Sequence, residues 1–179
     1  METPVALDVR GGLRLEALLA LPEGPKAGLV VCHPHPLYGG DMDNPVVVRV
    51  AEVAQGVGMA TLRFNFRGVG ASGGVHAGGE GEQDDVAASF AALAGRLPAL
   101  ALLAPPLRMY DMDFLGHAPS HTLLVSGSRD QYCPAEELER LGLRLGTGVE
   151  IIEGAEHFFF GKLFPLSEVV ERWLRTWAP

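Results

Sequence analysis

At 179 residues and a formal charge of −8, the chain has room for one ordinary domain and the wrong sign for a general nucleic-acid or anionic-membrane surface. Hydrophobic residues make up 47% and charged residues 20%, which supports a sizeable core and excludes a disordered chain. Cys32 and Cys133 lie far apart without CxxC spacing, which sets aside a disulfide framework or a structural zinc site and fits a reducing compartment.

Met1-Glu2-Thr3-Pro4 has neither the basic nor the apolar region of a signal peptide, and no apolar run approaches the ~20 residues of a membrane span. The expectation is a cytoplasmic protein over 1–179 as a single domain, with no membrane or nucleic-acid partner. Val5, Leu7 and Val9, then Leu13, Leu15 and Ala17, alternate around Arg10-Gly11-Gly12, the pattern of an antiparallel hairpin. Ala27 to Cys32 is a short apolar run, as expected of a strand covered on both faces. Asn44-Pro45 reads as a helix cap with proline at the first position, ahead of Val46, Val47, Val50, Val53 and Ala54.

Met59 to Phe66 is the next strand, followed by a glycine-rich loop from Arg67 to Gly81. Asp84 and Asp85 are expected to open a helix carrying Val86, Phe90, Leu93 and Leu97, where acids favour the helix dipole. Ala99 to Ala104, Thr122 to Ser126 and Val149 to Ile152 are further strands, with a helix over Pro134 to Leu145. In the last helix Leu166, Val169, Val170, Trp173, Leu174 and Trp177 form one buried stripe, ordinary core packing rather than a cofactor box.

Ligands of open α/β sheets bind beyond the carboxyl ends of strands, and the loops there hold the unusual polar residues. Asp130 and His157 each follow an apolar strand, on successive strands with a helix between, which brings them to adjacent strand ends. A carboxylate there accepts a hydrogen bond from one imidazole nitrogen and steadies the ring when the other takes a proton. The bland alternative is an aspartate capping the helix near Pro134 and a histidine satisfied in a turn.

His33 and His35 invite a metal reading, but no further ligands fall at a telling spacing; a rigid loop presenting backbone N–H groups fits better. Pro34 and Pro36 have no N–H, so an oxyanion donor there is His35, Leu37 or a later residue. Arg67-Gly68-Val69-Gly70 matches neither a P-loop nor GxGxxG, and glycine freedom to fold back over a pocket accounts for it.

Taken in order, HPHPLYGGDMDN, LRFNFRGVGASGG, GEGEQDD, LLAPPL, SGSRDQYCP and GAEHFFFGKL resemble the small dienelactone-hydrolase-like serine hydrolases of the α/β-hydrolase superfamily. The resemblance runs from about residue 28 to the carboxyl terminus. It implies an α/β-hydrolase fold: a mostly parallel sheet, an antiparallel amino-terminal hairpin and helices on both faces. It also implies Asp130 as triad acid, His157 as triad base, an oxyanion donor at His35 or Leu37, and a small ester-type substrate with no cofactor or metal. The family order of Ser, Asp, His puts the nucleophile between GEGEQDD and LLAPPL.

No Gly-x-Ser-x-Gly occurs in the sequence. Only Val86 to Ala101 lies between Asp85 and LLAPPL, so one strand-elbow-helix unit of the family pattern is missing. Ala87-Ala88-Ser89-Phe90-Ala91-Ala92 echoes the elbow with alanine at both glycine positions, and Ser89 is either its serine or a plain helical serine. The sheet has either closed up by one strand in a shortened relative, or a segment of the polypeptide lies outside this sequence. The leading expectation is hydrolysis of small esters, thioesters or lactones; the alternative is a catalytically silent binding or interaction domain.

Overall fold

The alternating residues at the amino terminus form the hairpin their pattern demands. A computed structural model of the chain describes residues 1–25, 27–93, 100–103, 105, 107 and 121–176. Leu97, Ala99, Ala104, Pro106 and Trp177, named above, lie outside the described residues. Two compact units are present, one of residues 1–98 with 178–179 and one of residues 99–177.

In the first unit, β1 (Glu2–Val9) and β2 (Leu13–Ala20) pair antiparallel, with Val9 opposite Leu13. Gly11 and Gly12 turn the chain at φ +87° and +81°, a region that side-chain-bearing residues rarely enter. β3 (Gly28–Val31) and β4 (Ala60–Phe64) complete a sheet of order β1-β2-β4-β3, in which β4 runs antiparallel to β2 and parallel to β3. Every residue of β4 is buried; Ala60, Leu62 and Phe64 face the core, and α1 packs against the strand. Leu7, Val9, Leu15, Ala17, Leu62 and Phe64 form the core.

α1 (Pro45–Gly56) begins as its cap predicts: the Asn44 side chain accepts the Val46 amide at 2.9 Å, and Pro45 needs no partner for an N–H it lacks. Its buried face is Val47, Val50, Ala51 and Ala54.

A buried cation sits in β4. Arg63 donates to both Glu2 carboxylate oxygens at 2.9 and 2.7 Å, to Asp43 Oδ1 at 2.6 Å and to the Met42 carbonyl at 2.7 Å. These bonds tie the start of β1 and the approach to α1 onto the central strand. Glu2 and Asp43 reach solvent once Arg63 is gone, whereas the Met42 carbonyl loses its charged donor. Arg63→Met is therefore expected to lower the unfolding free energy by about 1–3 kcal/mol, read from urea denaturation.

α2 (Glu80–Ala92) starts one turn earlier than expected, and this corrects the placement of Asp84 and Asp85 at its amino end. Glu82 holds that end, accepting the Ala77 and Gly79 amides at 2.8 Å each. Asp85 is instead a buried partner of Arg67: Nη2 donates to it at 2.7 Å and Nε at 3.0 and 3.1 Å, and the Arg67 amide adds a bond at 3.1 Å.

The second unit is a parallel sheet of β5 (Leu100–Leu103), β6 (Thr122–Gly127) and β7 (Val149–Ile152), in that order. Parallel neighbours need a crossover, and α3 (Ala135–Leu145) supplies it between β6 and β7. α3 buries Leu138 and Leu141 and ends at Gly146, φ +66°. α4 (Leu163–Arg175) buries Leu166, Val169, Val170 and Leu174; Trp173 is only half-buried, at the edge of the expected stripe.

The described strands form two sheets, one of four strands and one of three, as in a shortened α/β fold. β3 pairs with β4 and β5 with β6, and among the described residues no strand pairs β3 with β5.

Candidate active site

β6 and β7 run parallel with Gly127 in register with Ile152, so both chains leave the sheet side by side. The loops are then stitched together: the Ser128 amide donates to the Ile152 carbonyl at 3.0 Å, Arg129 to Ala155 at 2.9 Å, and Gly154 to Ser128 Oγ at 2.8 Å. Residue 127 must be glycine here, since a Cβ would run into the Ala155 carbonyl. This stitching puts Asp130 and His157 face to face.

His157 Nδ1 lies 2.9 Å from Asp130 Oδ2 and 3.1 Å from Oδ1. An ionised carboxylate only accepts, so Nδ1 carries the proton and Nε2 of the neutral ring keeps its lone pair. Asp130 Oδ1 also accepts the Tyr132 and Cys133 amides at 2.8 and 2.9 Å. The Asp130 side chain is fully buried and that of His157 is 21% exposed. Ser126 Oγ, 3.3 Å from Asp130 Oδ2, donates to the Cys133 carbonyl at 2.8 Å. Asp130 does not cap α3, whose N-cap Pro134 has no side-chain cap bond; its carboxylate instead organises the turn before the helix and lies against the imidazole.

Burial pushes the Asp130 carboxyl up, but the His157 bond, the two amides and the His157 charge outweigh it and hold it below its ordinary value of 3.8. A carboxyl depressed in the folded state stabilises it above its unfolded value and loses that contribution as pH falls through the folded value. Urea midpoints are thus expected to fall below about pH 4, with a shallower fall in Asp130→Asn. Glu2, depressed chiefly by its Arg63 bond, contributes in the same direction in both proteins.

Two rings lie edge-on to His157: Tyr132 at a centroid distance of 5.0 Å and Phe158 at 5.1 Å. Residue-type reasoning missed both, although their signal was present in the Gln131-Tyr132-Cys133 and His157-Phe158-Phe159-Phe160 runs.

The other expected site residues belong to the first unit. His33 is buried, donates from Nδ1 to the Pro34 carbonyl at 2.6 Å, and accepts the Phe66 amide on Nε2 at 3.1 Å. With both nitrogens engaged in the backbone, it is a strut between the loops after β3 and β4, which corrects the metal-ligand alternative. Burial accordingly pushes its pKa down.

His35 Nδ1 accepts the Leu37 amide at 3.2 Å and opens a single 3₁₀ turn, Pro36–Tyr38. The amides of Tyr38, Gly39 and Gly40 also end on carbonyls of this loop. The proposed oxyanion donor Leu37 therefore already has an acceptor, and a substrate oxygen would have to displace it.

The glycine-rich loop is bonded to β2 and to Asn65 just past β4. Gly73 donates to the Arg14 carbonyl at 2.9 Å, Ala71 to Glu16 Oε2 at 2.9 Å, and Ser72 Oγ to the Asn65 carbonyl at 2.7 Å. Glycine freedom is used for fit: at Gly70, φ +55°, a Cβ would collide with the Asn65 side chain.

Ser89 is fully buried inside α2 and donates its hydroxyl to the Val86 carbonyl at 2.7 Å. It sits on no strand-to-helix turn, so the elbow-like placement is corrected to that of a helical serine bonded to its own helix.

No protein-family model matches the chain. The uncharacterised Rickettsia prowazekii protein RP471 is 31% identical over 202 residues, taking in 91% of this chain and 85% of the relative. The 202 aligned positions exceed the 179 residues here, so at least 23 of them face a gap in this chain. A Xanthomonas campestris α/β serine hydrolase without a lid is 27% identical with a TM-score of 0.85, across 99% of this chain and 95% of that one. An α/β serine hydrolase homologue from Coxiella burnetii is 30% identical with a TM-score of 0.81, across 95% of this chain and 96% of that one. By its strand order and these likenesses, the chain belongs to the α/β-hydrolase superfamily.

Proposed function

We propose that the protein hydrolyses small carboxylic esters, thioesters or lactones by acyl transfer in the cytoplasm, in the manner of the dienelactone-hydrolase-like members of its superfamily. The observation that carries this reading is the buried Asp130 carboxylate holding His157 Nδ1 at 2.9 and 3.1 Å. Nε2 takes the proton of an attacking hydroxyl and returns it to the leaving oxygen, while Asp130 steadies the imidazolium between the two steps. The chemistry asks for no metal or cofactor. Ser89, whose neighbours resemble an elbow, is the serine to test for the role of nucleophile, although the structure holds its hydroxyl on the Val86 carbonyl within α2.

A second reading, a catalytically silent binding or interaction domain, is favoured by one pair of observations. Ser89 is buried in a helix, and a relative carries at least 23 aligned positions that this chain lacks within its 179 residues. Turnover of p-nitrophenyl acetate by the wild type and Ser89→Ala decides between them. Wild-type turnover above that of the heat-unfolded protein supports the hydrolase, and its loss in Ser89→Ala assigns the nucleophile. A folded wild type with no turnover establishes the silent domain.

A further inference from the structure

We infer that Tyr132, Phe158 and Phe160 form a subsite for an aromatic leaving alcohol beside His157, so that the esters turned over carry benzyl- or aryl-type alcohols. This rests on the reading of His157 as the proton carrier. Nδ1 is committed to Asp130, which leaves Nε2 as the atom that returns a proton to the leaving oxygen. Among the described residues, Nε2 has no hydrogen-bond partner. The rings that flank this imidazole are Tyr132 and Phe158, the nearest apolar surface to a group leaving from its proton.

Those rings are continuous. Tyr132 and Phe158 meet the imidazole edge-on at 5.0 and 5.1 Å, and Phe158 meets Phe160 at 5.8 Å. All three remain open to solvent, at 37%, 46% and 75% of their surface. The backbone is distorted to hold them there. Phe159 has φ +54°, the one described non-glycine residue in that region, and buries its ring to 1% while Phe158 and Phe160 on either side stay out. Strain of this kind persists where the surrounding structure fixes it, and it clusters at ligand sites. Aromatic edges and faces at 4.5–7 Å spacing attract a further ring beyond simple burial, which selects an aryl group over an alkyl chain.

The alcohol product tests the subsite without needing turnover. In histidine-labelled protein, the His157 imidazole signals, assigned by their loss in His157→Ala, are followed while benzyl alcohol or propan-1-ol is added. Benzyl alcohol is expected to shift them saturably and to bind at least about fivefold tighter than propan-1-ol. Phe158→Ala, at a half-exposed position, should bring the two alcohols to within about twofold of each other. Equal binding of both alcohols to the folded wild type, or an unchanged ratio in both Phe158→Ala and Phe160→Ala, overturns the subsite. Benzyl acetate and propyl acetate are assayed in parallel. A benzyl preference in binding with neither ester cleaved keeps the subsite and removes the hydrolase reading instead.

Discussion

Replacing His157 by alanine is expected to lower kcat/KM toward p-nitrophenyl acetate by about 10²–10⁴-fold, the usual contribution of a positioned general acid–base group. The loss should fall mainly on kcat, because the imidazole handles protons in the transition state rather than binding the ground state. Folding is expected to survive. Asp130 keeps the Tyr132 and Cys133 amides at 2.8 and 2.9 Å, so its buried carboxylate is not left without donors. Circular dichroism of the variant checks the fold, and steady-state kinetics check the rate. A folded variant with wild-type turnover would remove His157 from the mechanism.

Asp130→Asn is expected to cost up to about 10⁴-fold in kcat, with a different physical origin. The change is nearly isosteric. The side-chain oxygen can still accept the two amides, which leaves the NH₂ group facing His157 Nδ1. An amide N–H there requires Nδ1 to act as acceptor, which moves the imidazole proton to Nε2 and removes the lone pair that should take the substrate proton. The imidazolium also loses its carboxylate counter-charge. Proton signals of the imidazole, read by nuclear magnetic resonance, are expected to report protonation at Nδ1 in the wild type and at Nε2 in the variant. The same tautomer in both proteins would contradict this account.

Much of the frame was legible from side-chain pattern. The alternation from Val5 to Ala17, the Asn44-Pro45 cap and the stripe from Leu166 to Leu174 are local signals, because period and capping are set within a few residues. Asp130 and His157 were legible for a topological reason. Two apolar strands joined by one helix are forced to be parallel neighbours, so the residues just past their ends must meet.

What escaped were partners that residue type alone does not reveal: side chains bonded to nearby backbone groups, and one buried ion pair. The true start of α2 depends on Glu82 reaching back to the Ala77 and Gly79 amides, inside a stretch whose glycines conceal any cap signal. Asp85 looked like a helix-dipole residue because its partner Arg67 is eighteen positions away. His33 carries the same residue type as a metal ligand, and only its two backbone bonds reveal the strut. Leu37 looked open as an oxyanion donor until His35 Nδ1 was found on its amide. The strain at Phe159 has no sequence signature at all, since an aromatic residue is an unfavourable choice for positive φ.

The central claim, acyl transfer assisted by Asp130 and His157, is tested most directly by labelling with a fluorophosphonate and reading the intact mass. Such probes phosphonylate a serine hydroxyl only when it is activated by a neighbouring base. One adduct per chain is expected on the folded wild type, mapping to a serine and absent in His157→Ala. The unlabelled mass, set against the 19.0 kDa of the sequence, shows at once whether the labelled chain is the one described. A folded wild type that takes no adduct, or an adduct that persists in His157→Ala, would contradict the account.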